Sequence, residues 1–311
     1  GNLDVSEKKT PEMLPGEYVR SGLQRGLQLE SALGVNPFKF GLVGGTDTHT
    51  GLTTPDEDNF FGKFTAYEPG PERATHTSRS NPELGISYKA WKYSAAGVTA
   101  VWAGANTRGA IFDSMKRRET YATTGPRIRV RFFGGWDFKE DDALRRDLAL
   151  LGYTKGVPMG GDLKTGEAGT APSFLVYALR DPIGANLDRI QIVKGWIDKD
   201  GQAREKVYDV AWSGDRARDA NGKLAPVGDT VDLTIPSWTN TIGASELGTV
   251  WSDPDFDPAQ RAFYYARVIE IPTPRWTAYD RVKFKLDLPK DIPLKTQERA
   301  YTSPIWYSPK S

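Results

Sequence analysis

Residues 39–52 read KFGLVGGTDTHTGL. The run Phe38 to Val43 is short and almost continuously apolar, the pattern of a strand buried on both faces in a parallel α/β sheet. Gly44-Gly45 lets the backbone turn at the strand end, and Asp47 and His49 follow. Functional groups of α/β barrels sit on loops at the carboxyl ends of strands. Side chains two residues apart in extended backbone face the same way, so a carboxylate and an imidazole can converge here on one metal cluster. From spacing alone, an aspartate capping the turn and a histidine bonded to backbone is the preferred reading.

Around this segment the pattern is helical. Residues 15–33, PGEYVRSGLQRGLQLESAL, place Val19, Leu23 and Leu27 four residues apart, with Pro15 in the first turn and Gly34 as the stop. Gly97-VTAVWAG reads as a second buried strand. Asn106 or Thr107 then caps a helix that begins at Arg108 and closes on Lys116-Arg117-Arg118, cations placed at its negative end. Between them, residues 51–81 form a long loop rich in Pro, Gly, Thr and acidic residues, the profile of either a disordered segment or a functional lid. Phe60, Phe61, Phe64 and Tyr67 indicate that part of it packs.

After Arg127 the period changes to two. RIRVRFF, SFLVYALRD, DRIQIVKGWID, REKVYDVAWSG, DTVDLTI, RAFYYARVIEI and RVKFKLDL all read as strands, with a hairpin signal at Asp198-KDG. Residues 128–311 are therefore expected to form a β-rich, sandwich-like domain. Its tryptophans are assigned to core packing. Residues 1–127 are the end of an α/β domain, since two strands are too few to close a barrel.

Composition removes several classes of function. Cysteine is absent from the 311 residues, which excludes thiolate metal sites and a cysteine nucleophile. With 41 basic and 40 acidic residues, the net charge of +1 lacks the basic excess of a nucleic-acid scaffold. No apolar run approaches the length of a membrane span. No targeting signal is visible at the start. Two histidines and no elbow motif rule out a serine triad, and no phosphate-cradling glycine loop is present.

The long loop adds weaker candidates. His76 is flanked by Arg73 and Arg79, and Arg118 ends the second helix. Each is read either as surface charge or as a contact to an anionic substrate. Asp56, Glu57 and Asp58 read as a solvated acidic face or as hard-metal oxygen donors.

Taken together, several segments carry a resemblance: NPFKFGLVGGTDTHTGL, EDNFFGKF, TAVWA, NTRGAIFDSMKRRETYATTGPRIRVRFFGGWDF, APSFLVYALRDPIGANLDRIQIVKGW, EKVYDVAWS, FDPAQRAFYYARVIEIPTPRW and SPIWY. The chain resembles the C-terminal half of bacterial proteins grouped as domain of unknown function 3604. That family looks like a branch of the polymerase and histidinol phosphatase (PHP) metallohydrolases. The resemblance implies a distorted β/α barrel with two or three divalent ions of zinc, manganese or iron, whose last ligand motif is an Asp-x-His pair. Asp47 and His49 match it, and Arg118 to Thr123 resembles the closing helix and turn.

Such proteins carry further ligands on an N-terminal half that is missing here. The resemblance therefore implies a partner, either that N-terminal half or a companion fragment. It also implies phosphoester hydrolysis of a small anionic substrate, and export to the periplasm rather than a cytoplasmic location. A non-catalytic binding or assembly module and a metal-dependent lyase are the competing readings.

Overall fold

The computed structural model describes residues 4–52, 54–95, 97–167 and 169–309; the first three residues of the polar N-terminal stretch lie outside it. In chain order the helices are α1 (Val19–Leu33), α2 (Arg108–Lys116), α3 (Leu148–Lys155) and α4 (Trp276–Lys283). The strands begin with β1 (Thr77–Asn81), β2 (Ile86–Lys89), β3 (Val98–Val101), β4 (Thr120–Thr123), β5 (Arg129–Gly135), β6 (Gly156–Pro158), β7 (Asp162–Leu163) and β8 (Ser173–Leu179). They continue with β9 (Leu187–Ile197), β10 (Ala203–Trp212), β11 (Glu246–Ser252), β12 (Ala262–Glu270), β13 (Thr273–Pro274), β14 (Lys295–Thr296), β15 (Arg299–Thr302) and β16 (Ile305–Tyr307).

Two sheets make the body. The larger has the order β10-β9-β12-β15-β4-β3, with β16 and β7 attached beside β12, and the smaller has the order β11-β8-β5-β6. Alternation explains how they pack. In β5, Phe132 faces the core between the sheets with Phe174, Ile192 and Tyr264. Its neighbour Phe133 faces the opposite way, onto Leu148 and Leu175. In β12, Tyr264 and Ala266 point inward, whereas Phe263 and Tyr265 face outward onto Leu23 and Leu27 of α1. Both faces of the large sheet are thus covered at its centre. Strand β12 is buried almost throughout, and its sequence AFYYARVIE is correspondingly apolar.

The β-rich reading of the C-terminal part is observed, and among the described residues no sheet closes into a barrel. Strands β3 and β4 pair antiparallel, and β4 pairs with β15. The large sheet therefore runs across residue 127, so that position does not separate two sheets. Strand β3 is an edge strand rather than one buried on both faces.

Three local readings change. Residues 38–43 join no ladder, and Val43 is 58% exposed. Residues 229–235 are a turn-rich surface segment in which Asp232 caps Thr234. Residues 281–283 close α4, a helix that begins just after Pro274 and carries Asp280 into the interior. The 51–81 loop is packed rather than open: Phe60 and Ala74 form a small core with Ala95, Trp276 and Ile292. Helix α1 ends at Gly34 in the left-handed conformation (φ 76°), and Thr107 caps α2 by accepting a hydrogen bond from the Ala110 N–H. Among the described residues no helix is long and apolar enough to cross a membrane.

Candidate functional site

Residues 39–46 form an extended strap held by hydroxyl groups of the large sheet instead of by a backbone ladder. The Leu42 N–H donates to Ser303 Oγ (2.8 Å), and Thr120 Oγ1 donates to Leu42 O (2.9 Å). Thr99 Oγ1 donates to Gly44 O (2.7 Å) and accepts from Gly44 N (3.2 Å). Glycine is needed for this approach. A Cβ on Gly44 would sit 2.7 Å from Val98 O, and one on Gly41 would sit 3.0 Å from Thr120 Oγ1. Gly44→Ala is therefore expected to lift the strap from β3 at a cost of about 1–3 kcal/mol. Urea unfolding would measure it, and a cost near zero would mean that the strap is not clamped.

At the strap's start, Arg118 Nη1 donates to Lys39 O (2.9 Å) while Nη2 reaches Asp162 (3.3 Å). Lys39 pairs with the same aspartate. Arg118, proposed from sequence as an anion contact, is here a tie between the strap and β7.

At the strap's end the backbone turns at Asp47, which has φ 51°. Aspartate tolerates this left-handed conformation better than most residues, and such positions concentrate at functional sites. The Asp47 side chain is 81% exposed. Thr48 turns inward, donating to Gly62 O (3.1 Å), and His49 N–H donates to Lys63 O (2.9 Å). Asp47 and His49 are thus both exposed on either side of an anchored threonine. The His49 ring stacks on Phe64 at 5.0 Å, and among the described residues its only hydrogen bond is the backbone one.

Lys63 and Glu68 complete this corner, and neither was singled out from sequence. The Lys63 ammonium donates to Thr46 O and lies 3.9 Å from Asp47 Oδ2. Burial pulls its pKa down, and the Asp47 and Glu68 carboxylates pull it back up. Glu68 accepts the N–H groups of Lys63 and Phe64, and its buried carboxyl is held above the usual range by desolvation. The signal available in the sequence was the pairing of GKF with an acidic residue five positions after the lysine, which is too common a pattern to carry weight.

Arg73 lies behind the same loop. It is 4% exposed, grips Asp280 through Nε and Nη2, and donates from Nη1 to Phe60 O (2.8 Å) and Phe61 O (3.0 Å). Its guanidinium stacks over Trp276 at 4.6 Å. Arg73 is therefore a brace rather than the substrate contact expected. His76 stacks on Tyr67 at 3.9 Å, and Tyr67 is 6.0 Å from Phe64. The two histidines stand at opposite ends of this aromatic row rather than at one centre. Arg79 is exposed on the β1–β2 hairpin.

Residues 1–309 match the family described as protein of unknown function (DUF3604). The chain belongs to the DUF3604 family. No curated protein and no solved structure matches it. Within this DUF3604 chain, no three His, Asp or Glu side chains among the described residues are grouped so as to hold a metal ion. Asp47 and His49 are the right donor types for a borderline divalent ion, one oxygen and one nitrogen donor, but they fall short of the three protein ligands that a catalytic site normally supplies.

Asp56, Glu57 and Asp58 do not form a simple solvated face. With Asp181, Glu270 and Glu298 they line a cavity of ≈ 130 Å³. The topology gathers these residues from the packed loop, the turn after β8, the end of β12 and the approach to β15.

Proposed function

We propose that this chain contributes Asp47 and His49 to the divalent metal centre of a hydrolase acting on a small anionic substrate, with a phosphoester as the expected class. The remaining ligands come from a segment outside residues 1–311. The observation that carries the reading is the outward presentation of both side chains at the end of a clamped strap, with the imidazole ring nitrogens uncommitted among the described residues. A second observation supports the partner segment: most large apolar side chains left exposed lie before residue 127, among them Val19, Val43, Phe112 and Met115.

Asp47 offers carboxylate oxygens and His49 a ring nitrogen, held by the stack on Phe64 and by the anchored Thr48. Lys63 places a positive charge beside them, suited to an anionic group arriving at the exposed face. A divalent ion bound there supplies an activated water and charge neutralisation.

Asp47→Ala and His49→Ala, each made in the complete protein, are expected to lower tightly bound metal and phosphoester hydrolysis together by more than about 100-fold. Elemental analysis after gel filtration gives the first readout, independent of activity. Unchanged metal content in both variants would remove the proposal.

A further inference from the structure

We propose that the acidic cavity between the 55–58 loop, β12 and β15 binds a small aliphatic ammonium ligand, with Glu270 as its central anchor. Four observations carry this. The cavity wall presents Asp56, Glu57, Asp58, Asp181, Glu270 and Glu298. Glu270 is 1% exposed, yet its Oε1 has no hydrogen-bond partner among the described residues. A buried carboxylate oxygen left unpaired carries a large desolvation cost, which a bound donor removes.

Glu57, Asp181 and Glu298 are each held by a different donor group. Glu57 Oε2 accepts from Trp276 N (2.6 Å). Asp181 accepts from Arg127 N (2.7 Å) and Ile183 N (3.1 Å). Glu298 accepts from Thr124 Oγ1. Held by the Trp276, Arg127 and Ile183 N–H groups and by the Thr124 hydroxyl, they form no three-carboxylate group suited to a metal ion among the described residues, whereas calcium takes six to eight oxygens in one shell. Dispersed carboxylates suit a ligand whose N–H donors and charge are themselves spread out.

The rest of the wall fits the same class. Trp238 and Tyr279 stand with Pro55, Pro126 and Pro274 around the acids. Aromatic faces attract ammonium groups, and proline rings accept methylene chains. A Cβ on Gly184 would lie 2.8 Å from Asp181 Cβ, so glycine lets the turn after β8 pack closely at this wall.

Charged neighbours set the proton balance. Burial, with the Glu298 and Asp181 carboxylates, raises the Glu270 pKa well above normal, and the Ala185 backbone N–H and then Arg180 oppose this. Burial and Glu57 push Glu298 up to about 7, against Thr124, Arg299 and Arg275. Asp56 is raised by burial, Asp58 and Asp181, and lowered by Arg127. An arriving ammonium converts these acids to carboxylates, so binding releases protons and tightens as pH rises from 6 to 8.

Isothermal titration of the full chain with 1,4-diaminobutane, spermidine, Nα-acetyl-lysine methylamide, calcium and manganese tests this, run in two buffers of different ionisation enthalpy. The expected result is saturable amine binding with proton release, weakened about tenfold or more in Glu270→Gln and in Glu298→Gln. Binding of the free amines alone assigns a small-molecule site, and binding of the lysine derivative alone assigns a protein side chain. Both variants replace an acid by its isosteric amide, and a single cooperative thermal transition would show that they fold. The proposal is overturned if no amine binds at millimolar concentration, if only the metals bind, or if the folded amide variants bind amines as the parent does.

Discussion

Replacing Arg73 by methionine is expected to destabilise the protein by about 3–5 kcal/mol, the usual cost of removing one partner from a buried ion pair. Arg73 and Asp280 have side chains only 5% and 6% exposed. Methionine preserves most of the stem volume but leaves the Asp280 carboxylate without its partner. It also removes the donors to Phe60 O and Phe61 O. The stack on Trp276 goes with them. Urea unfolding of Arg73→Met, Asp280→Leu and the double variant forms a cycle that isolates the pair. The double variant should recover much of the loss. Equal and additive losses would show that the two residues do not interact. Because Arg73 holds the carbonyls just before Lys63, Arg73→Met should also loosen the corner that carries Asp47 and His49.

The second large effect is a loss of stability on raising the pH. Glu298 is 7% exposed, and burial beside Glu57 raises its pKa from 4.5 to about 7. Between those values the unfolded chain is ionised at this position and the folded chain is not. The unfolded state then binds fewer protons, so stability is greatest below pH 4.5 as far as this group is concerned and falls as pH rises to 7. The loss is about 3 kcal/mol. Glu270 is shifted in the same direction and adds to it. Unfolding free energies at pH 5 and pH 8 give the comparison, with Glu298→Gln expected to flatten the dependence. Greater stability at pH 8 in the parent protein would contradict this assignment.

What the sequence made legible follows from which faces are buried. Strands β5, β8, β9, β10 and β12 were readable because alternating residues meet different layers, as Phe132 and Phe133 do. The same alternation misleads at Val231, Leu233 and Ile235, which meet no second layer and leave Ile235 68% exposed. It misleads again before residue 288, where the need to bring Asp280 to Arg73 outweighs the period-two pattern and α4 forms. Strand β11 was overlooked because Gly248 interrupts its pattern. A Cβ there would lie 2.9 Å from the Tyr177 ring, so the gap in the pattern is itself a packing requirement. Asp47 and His49 stood out because His49 is one of only two histidines, but it was the family resemblance and not their spacing that made them metal-ligand candidates. The acidic cavity did not stand out, because Glu57, Asp181, Glu270 and Glu298 become neighbours only through the topology of the large sheet.

Strand β4 reaches its partner across roughly 180 residues, since Tyr121 sits opposite Thr302 and Thr123 opposite Ala300. During synthesis on the ribosome, the segment bearing Asp47 and His49 emerges long before β15 does. The hydroxyl of Ser303 that grips Leu42 arrives later still. Closing so long a loop carries an entropic cost before any contact repays it, and chains dominated by distant pairings fold slowly. The strap therefore spends translation without the last part of its seat, the Ser303 hydroxyl that follows the final strand of that long pairing.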